Sequence, residues 1–190
     1  MPRKGISRTD IMNMALELVI EKGYENFSVR ELAAKLDIKP ASLYNHIDGI
    51  EEINIYIAHE AANALNTTLA EAINGKSKDD AFMAATIAYR NFAIENAEIY
   101  KALIQMPTSQ DEHIVKAAFK SFAPLRELVK SYGLSKEKTI NYIRGLRAVM
   151  HGFVELCNSG FMTSEVVSRD ESYEKIMQYY LRTLKEIADE

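Results

Sequence analysis

The chain has 190 residues, of which 47% are hydrophobic and 26% are charged, a balance typical of a globular protein with a buried core. A single cysteine, Cys157, excludes an intramolecular disulfide framework, and no apolar run approaches the roughly 18–20 residues that span a bilayer. The net charge is −4, but residues 1–47 hold seven Lys and Arg against six Asp and Glu, so they carry +1 and residues 48–190 carry −5. The basic N-terminus has no apolar stretch behind it, so we expect a cytoplasmic protein without a membrane partner.

Residues 9–47 show the pattern of three short helices. Thr9 can cap the first helix, and Gly23 can end it, because the position after a helix favours a left-handed residue. Ser28 and Glu31 form a capping box for the second helix, and Pro40 can begin the third, where its missing amide hydrogen costs nothing. Two such helices joined by a short turn indicate a helix-turn-helix. The apolar positions recur at helical spacing: Ile11, Ala15, Leu18, Val19, Val29, Leu32, Ala33, Leu36, Leu43 and Ile47.

The third helix also has a polar outer side, which a plain three-helix bundle does not explain. Ala41 is small enough for close approach and can touch a thymine methyl, and Asn45 can pair with adenine through two hydrogen bonds. Lys39 can neutralise a phosphate, and Arg30 can reach either the backbone or a base. The outward polar residues of this helix are Ser42, Tyr44, Asn45 and His46.

One ordered set of residues in this stretch resembles the TetR family of regulators: Ile11, Ala15, Gly23-Tyr24, Ser28-Val29-Arg30-Glu31-Leu32-Ala33, Leu36, Ile38 and Leu43-Tyr44-Asn45-His46. The resemblance implies that Tyr44 and His46 contact phosphates. Family members usually have a lysine at the start of the fourth helix, where this chain has Ile50, so we expect weakened DNA affinity with the fold retained. The predicted DNA-contacting residues are Thr9, Ser28, Arg30, Lys39, Ala41, Ser42, Tyr44, Asn45 and His46.

Residues 48–190 are predicted to be helical almost throughout, which makes the chain all-α with nine helices, a number and order that also resemble the TetR family. We divide it into a helix-turn-helix domain, residues 1–47, and an effector-binding and dimerisation domain, residues 48–190. The predicted helix starts are Asp48 with Glu51, Ser77 with Asp80, Ser135, and Ser168 with Glu171. The predicted ends and bends are Gly75, Asn96-Ala97, Met106-Pro107, a kink at Pro124 within a seventh helix over about 113–132, Gly133 and Ser159.

The last two predicted helices have more apolar residues than a single buried face would account for. Helix eight has two apolar rows, and helix nine has a wide apolar stripe, so we predict a four-helix bundle shared by two copies in a homodimer. The alternative is a deep core within one chain. The predicted interface residues are Phe153, Leu156, Tyr173, Ile176, Met177, Tyr180 and Leu184.

Residues 147–161 resemble a C-terminal domain type of the same family, known by its Trp/His-Gly signature, and the likeness extends over about residues 80–185. The resemblance implies a small-molecule effector among helices four to eight, and the residue types favour an apolar or aromatic one. His151 is an effector contact, a metal ligand or a core histidine. The candidate effector residues, which plain core packing would also explain, are Tyr89, Phe92, Tyr100, Met106, Phe119, Phe122, Arg147, Met150 and His151.

The sequence gives little support for catalysis. His59 and Glu60 begin a zinc-protease pattern, but Asn63 stands where the second histidine belongs, and there is no phosphate-binding glycine loop. We therefore predict no metal, no cofactor and no enzyme. The sequence predicts a ligand-responsive repressor that binds a pseudo-palindromic operator in double-stranded DNA as a homodimer. The alternatives are an activator, and a helical ligand-binding or adaptor protein with lost or weak DNA binding, which Ile50 and the charge of only +1 favour.

Overall fold

A computed structural model describes residues 6–105 and 119–189, and within those ranges the chain is helical without a β-strand. This confirms the predicted all-α class. The described helices, numbered in chain order, are α1 (Arg8–Lys22), α2 (Val29–Lys35), α3 (Pro40–Leu43), α4 (Ile50–Ile73), α5 (Lys78–Glu95), α6 (Ala97–Ile104), α7 (Ala123–Lys130), α8 (Lys136–Asn158) and α9 (Arg169–Asp189).

The chain forms two compact units. The first comprises Met1–Ala64 and Asn96–Lys120, and the second comprises Leu65–Glu95 and Ser121–Glu190. Helix α4 therefore contributes to both units, and α6 belongs to the same unit as the helix-turn-helix. The functional boundary between residues 47 and 48 stays a prediction.

The start of α1 differs from the prediction. Ser7, not Thr9, is the N-cap: its Oγ accepts from the amide of Asp10 at 3.1 Å, and its own amide donates to Asp10 Oδ2 at 2.8 Å. This capping box needs an acidic residue three positions after the cap, which Ser7 has and Thr9, followed by Met12, lacks. Thr9 lies in the first turn of α1 with an exposed side chain.

The helix-turn-helix follows the predicted order with a shorter third helix. Ser28 caps α2, accepting from the amide of Glu31 at 3.3 Å, and Asp37 has a φ of 53° in the turn. Pro40 begins α3 as predicted, but α3 ends at Leu43. Residues 44–46 continue as a turn, in which the amide of His46 donates to the carbonyl of Leu43 at 2.8 Å.

Two of the later helix starts also differ from the prediction. The amide of Asp48 donates to Glu52 Oε2 at 2.7 Å instead of pairing with Glu51, because α4 begins only at Ile50. The helical structure of residues 119–121 is interrupted at Phe122, and a new helix, α7, begins at Ala123. Pro124 lies in the first turn of α7, so this proline begins a helix rather than kinking one. The predicted starts at Ser77, Ser135 and Ser168 are confirmed by side-chain hydrogen bonds to the following turn. The predicted stop at Met106-Pro107 and the first part of the seventh helix, to residue 118, lie outside the described residues.

The core of the second unit is formed by α5, α7, α8 and α9. Tyr173 lies fully buried on α9, where its hydroxyl donates to the carbonyl of Thr86 on α5 at 2.8 Å, and its ring meets Phe153 of α8 edge-on at 5.0 Å. At the other end of α9, Lys185 Nζ lies 2.8 Å from Asp79 Oδ2, and the hydroxyl of Tyr132 donates to Asp79 Oδ1 at 2.9 Å. Both ends of α9 are thereby held on α5.

The contacts of Asp79 predict a dependence of stability on pH. The hydrogen bonds from Lys185 and Tyr132 hold the pKa of Asp79 below its ordinary value. The contribution of these two bonds to the free energy of unfolding is therefore complete above the unfolded-state pKa of about 4. It is lost as the pH falls through the lower folded-state pKa. At neutral pH, Asp79→Asn should lower the free energy of unfolding by no more than about 1 kcal/mol, because the ion pair is half exposed.

Chemical denaturation from pH 7 to pH 3 measures this effect. The difference in free energy of unfolding between wild type and Asp79→Asn should shrink at the acid end. Glu174→Gln on α9 is the matched control, since Glu174 is exposed and has no ion pair with any residue of 6–105 or 119–189. A constant difference over the whole pH range would contradict the assignment to Asp79.

Candidate functional site

The outer side of α3 and its following turn presents the side chains that the sequence predicted to face outward. Leu43 and Ile47 are buried in the core of the first unit. Because they lie four positions apart, the positions between and beside them point away from that core. Ser42 is half-buried, and the exposed residues of this surface are Lys39, Ala41, Tyr44, Asn45 and His46.

The four cations of residues 20–40 fall into two groups, those with an ion pair and those without. Lys22 Nζ lies 2.5 Å from Glu31 Oε1, and Lys35 Nζ lies 2.8 Å from Glu21 Oε2. Hydrogen bonding to Glu31 raises the pKa of Lys22, and hydrogen bonding to Lys35 lowers the pKa of Glu21. These two lysines are thus partly neutralised within the chain.

Arg30 and Lys39 form the second group. Both are exposed, and neither has an ion pair with any residue in the part of the chain that the structure describes. Arg30 lies on α2, and Lys39 immediately precedes α3. Their guanidinium and ammonium groups are therefore not neutralised by an acidic side chain of the described residues.

Two other predicted DNA-contacting residues have different surroundings. The hydroxyl of Ser28 donates to Glu31 Oε2 at 3.0 Å while accepting from the Glu31 amide, so its main role in the chain is to cap α2. Thr9 is exposed on α1. Ile50, where the family resemblance implies a lysine, is the exposed first residue of α4.

Sequence reasoning missed the part that α6 plays beside the helix-turn-helix. Glu98 Oε2 accepts a hydrogen bond from the backbone amide of Tyr24 at 2.9 Å, in the turn that follows α1. Lys101 Nζ donates to the other oxygen of Glu98 at 3.0 Å, and the amide of Tyr24 and Lys101 together lower the pKa of this carboxyl. Ala102 of α6 is buried in the same core as Leu43. No sequence signal links residues 74 positions apart, so only the fold could show this contact.

The predicted dimer interface stays a prediction, and its residues differ in how far their own chain covers them. Four of its residues, Phe153, Tyr173, Met177 and Leu184, are buried inside their own chain and offer no surface to a partner. The alternative of a deep core therefore holds for them, because α5 and α8 cover the apolar stripe of α9. Leu156 is exposed, and Ile176 and Tyr180 are half-buried.

The candidate effector residues are only partly brought together. Tyr89 and Phe122 are buried with ring centroids 5.5 Å apart, and the guanidinium carbon of Arg147 lies 4.7 Å from the ring centroid of Phe122. Phe92 and Met150 are also buried in the second unit. The remaining residues are placed as follows: Tyr100 is buried in the first unit, Phe119 is exposed, His151 is half-buried with an interaction of its own, and Met106 lies outside the described residues.

Residues 6–105 and 119–189 contain no group of three or more His, Cys, Asp or Glu side chains placed to hold a metal ion. Within the same ranges, no helix combines the length and the apolar character that crossing a membrane requires. At the incomplete zinc-protease pattern, Asn63 Nδ2 lies 3.1 Å from His59 Nδ1, an ordinary contact between neighbouring turns of α4.

Comparison with known proteins points to one family. Residues 11–54 match the model of bacterial regulatory proteins of the tetR family, and residues 82–180 match that of the tetracyclin repressor-like C-terminal domain. YobS of Bacillus subtilis, an uncharacterized HTH-type transcriptional regulator, is 30% identical over 96% of this chain and 92% of its own length. Rv0681 of Mycobacterium tuberculosis, described in the same words, is 30% identical over 83% of this chain and 72% of its own length.

Solved structures share the fold at lower identity. A protein with unknown function from Rhodococcus sp. RHA1 superposes with a TM-score of 0.80 at 18% identity, over 97% of this chain and 98% of that one. A TetR variant from Acinetobacter baumannii, solved in complex with minocycline, gives a TM-score of 0.70 at 14% identity, over 97% of this chain and 99% of that one.

The contact between α6 and the turn after α1 gives a testable prediction. Glu98→Ala removes the acceptor of the Tyr24 amide and should lower the free energy of unfolding by about 1 kcal/mol, since this hydrogen bond is only part-buried. Glu98→Gln keeps a carbonyl oxygen and should lose less. Hydrogen exchange at the Tyr24 amide should accelerate in Glu98→Ala more than in Glu98→Gln.

Glu17→Ala on α1 is the control, because the side chain of Glu17 is exposed and has no hydrogen bond with the residues described in the structure. Equal exchange at Tyr24 in wild type and in both Glu98 variants would show that the contact does not hold in solution.

Proposed function

Because the chain belongs to the TetR family of DNA-binding transcriptional regulators, we propose that it is a repressor that binds a pseudo-palindromic operator as a homodimer and leaves it when a small molecule binds. The family is one of regulators, not enzymes. The observation that carries the proposal is the exposed polar surface of α3, flanked by the two cations Arg30 and Lys39 that have no ion pair within residues 6–105 and 119–189.

On this proposal α3 enters the major groove. The Asn45 amide can donate to N7 and accept from N6 of one adenine, a pattern that no other base presents, so Asn45 carries sequence preference. Ala41 can meet a thymine methyl. Tyr44 and His46 donate to phosphate oxygens, as Lys39 does, and these contacts orient the helix without reading sequence. With isoleucine at position 50, the operator complex lacks one cation that the family usually supplies.

Two copies are required by the geometry of DNA. Two α3 helices can enter successive major grooves of one face only if they lie about 34–36 Å apart, which a two-fold dimer provides and which makes the operator an inverted repeat. The exposed and half-buried apolar residues of α8 and α9 support such a dimer, among them Leu156, Ile176 and Tyr180.

The effector is proposed to be a small apolar or aromatic molecule that binds in the second unit. The support is the cluster of Tyr89, Phe122 and Arg147, which offers two aromatic rings and a guanidinium stacked on one of them. A solved structure with the same fold, the TetR variant from Acinetobacter baumannii, holds minocycline. If effector and operator favour different states of the protein, each weakens the binding of the other by the same factor, typically about 1–3 kcal/mol.

Selection from random duplexes tests the DNA-binding part of the proposal. We expect an enriched inverted repeat whose affinity falls steeply with salt, with a logarithmic slope of about −0.9 for each phosphate neutralised. Lys39→Ala should weaken binding and make this slope shallower by about 0.9 per half-site. Lys35→Ala is the matched control and should change the slope less, because Lys35 is already paired with Glu21.

If no inverted repeat is enriched even at low salt, the chain is instead a helical ligand-binding or adaptor protein. An equal change of slope in the two lysine variants would contradict the assignment of Lys39. Where an inverted repeat is enriched, that duplex serves as the probe in a screen for compounds that release the protein from it.

Within α3 and its turn, sequence reading and phosphate contact can be separated. Asn45→Ala should change which base is preferred at one position of each half-site and cost about 1–3 kcal/mol on the preferred sequence. Tyr44→Phe, which removes a single hydroxyl, should weaken all sequences alike. Binding of both variants to every single-base variant of the selected duplex measures this. A uniform loss for Asn45→Ala would remove it from the base-reading residues.

A further inference from the structure

The core of the second unit holds a positive charge that an apolar effector would not use. Arg90 lies on α5 and is only 8% exposed, and no other Lys, Arg, Asp or Glu of residues 6–105 and 119–189 is buried. Arginine is almost never buried unless it is paired, because a guanidinium taken out of water is costly without an opposite charge and hydrogen bonds. The partners of Arg90 therefore need to be accounted for.

These partners leave most of the hydrogen-bonding capacity of Arg90 unused. Nη2 donates to Oδ1 of the neighbouring Asn91 at 3.3 Å. Nε and Nη1 are buried and have no hydrogen-bond partner in the part of the chain that the structure describes. The guanidinium carbon lies 5.1 Å from the ring centroid of Tyr173, but a ring takes only the face of a guanidinium, whereas its N–H groups lie in the plane. The ring does not replace the missing acceptors.

The carboxylate of Asp170, at the start of α9, lies beside Arg90 but is loosely held. Asp170 Oδ1 is 3.2 Å from Nη1, within ion-pair distance, yet the two groups are not aligned as a hydrogen bond. The side chain of Asp170 is 72% exposed and has no other ion pair or hydrogen bond with the described residues. Because an ion pair so open to water contributes little, another anion can exchange with Asp170 at this position.

A second cation acts close to Arg90. Arg169 is the exposed first residue of α9, and its Nε donates to the carbonyl of Met162 at 2.9 Å. Burial raises the pKa of the Cys157 thiol, while Arg169 and Arg90 both act to lower it, so both guanidiniums lie near this one side chain. An anion that reaches Arg90 therefore meets the field of a second positive charge.

The aromatic residues of the proposed effector site adjoin Arg90. Tyr89, whose ring centroid lies 5.5 Å from that of Phe122, directly precedes Arg90 on α5. Burial raises the pKa of the Tyr173 hydroxyl and Tyr89 adds to that rise, so the two tyrosines lie close together. The same Tyr173 ring carries the guanidinium of Arg90. The charge and the aromatic rings are thus placed to bind two parts of one molecule.

We propose that the effector is an organic carboxylate with an apolar body, and that its carboxylate displaces Asp170 from Arg90. This inference rests on the proposed effector-controlled function and names the chemical class of the effector. A carboxylate accepts from two N–H groups of a guanidinium at once, so it supplies the missing acceptors and the opposite charge together.

Other ligands suit Arg90 less well. A neutral molecule can accept hydrogen bonds, but it leaves the buried charge unpaired. A phosphate group would bring more negative charge than one guanidinium offsets, into a stretch, residues 48–190, whose net charge is already −5. A carboxylate carries a single negative charge and can be joined directly to an apolar body.

Thermal stabilisation and calorimetric titration of the full chain test the proposal with paired compounds. Butyrate, octanoate, benzoate and naphthoate are each compared with the matching primary amide, which has the same body without the charge. At least one carboxylate should bind about tenfold more tightly than its amide, since hydrogen bonds to charged groups are stronger than those between neutral groups. Equal binding of every carboxylate and its amide would overturn the proposal.

Two substitutions should act in opposite directions on the carboxylate that binds. Arg90→Gln should abolish its preference over the amide. Asp170→Asn should tighten its binding about threefold, because the internal competitor for Arg90 is removed. Asp170 is exposed, so this variant keeps the fold and remains informative even if Arg90→Gln does not fold.

Glu174→Gln is the matched control for Asp170→Asn. It removes an exposed carboxylate from the same helix that has no ion pair with Arg90 or with any other described residue, so it should leave the affinity unchanged. Equal affinity in wild type and Asp170→Asn would show that Asp170 and the ligand do not share Arg90, and would overturn the proposed site.

The outcomes separate this inference from the proposed function. If neutral amides release the selected duplex as readily as the carboxylates do, the effector-controlled function stands and the carboxylate class is wrong. If carboxylates bind through Arg90 but leave the affinity for the selected duplex unchanged, the binding site stands and the proposed release from DNA is wrong.

Discussion

The burial of Leu43 and Ile47 determines how α3 is rotated about its axis, and the candidate DNA-binding surface depends on that rotation. Both side chains lie in a core that also takes Leu32 of α2 and Ile11 of α1. With one side of a short helix buried, Tyr44 and Asn45 have no place but the solvent side. A rotation of α3 that exposed Leu43 would lose its burial, about 1.5–3 kcal/mol, and would turn Asn45 away from the proposed DNA-binding side. Packing and recognition therefore depend on the same two residues.

The net charge does not show that some cations of the helix-turn-helix have ion pairs while others have none. Ion pairs with Glu31 and Glu21 occupy Lys22 and Lys35, while Arg30 and Lys39 remain available. The charge of +1 over residues 1–47 does not show this difference, because setting aside two lysines together with their two acidic partners leaves the net charge unchanged. The strength of phosphate binding therefore depends on the cations without an ion pair rather than on the total charge.

Helix α6 shows that the unit containing the helix-turn-helix includes a late part of the chain. Its Ala102 fills the common core, and its Glu98 holds the turn after α1 through the amide of Tyr24. Any movement of α6 would therefore act on the end of α1 through a hydrogen bond as well as through packing. In the second unit α9 is held in a similar way, by Tyr173 near its start and by Lys185 near its end.

Local chemistry was readable from the sequence by itself. The helix starts at Ser28, Ser135 and Ser168 were predicted correctly because a cap depends on residues only three positions apart. The outward side of α3 was predictable for a similar reason, since helical spacing alone separates Leu43 from Tyr44 and Asn45. The prediction of Thr9 as the cap of α1 was wrong, because Ser7 forms the capping box with Asp10, three positions further on.

Only the tertiary structure decided which apolar residues of α9 belong to the core. Tyr173 and Tyr179 are aromatic residues of the same helix, yet the first is fully buried against α5 and the second is half exposed. A periodic pattern records that a side chain is apolar, but not whether its own chain or another covers it. The partner of Glu98 was equally hidden, because a hydrogen bond between residues 74 positions apart depends on how the helices pack. Local interactions are encoded within a few residues, whereas these contacts exist only once distant segments have been brought together.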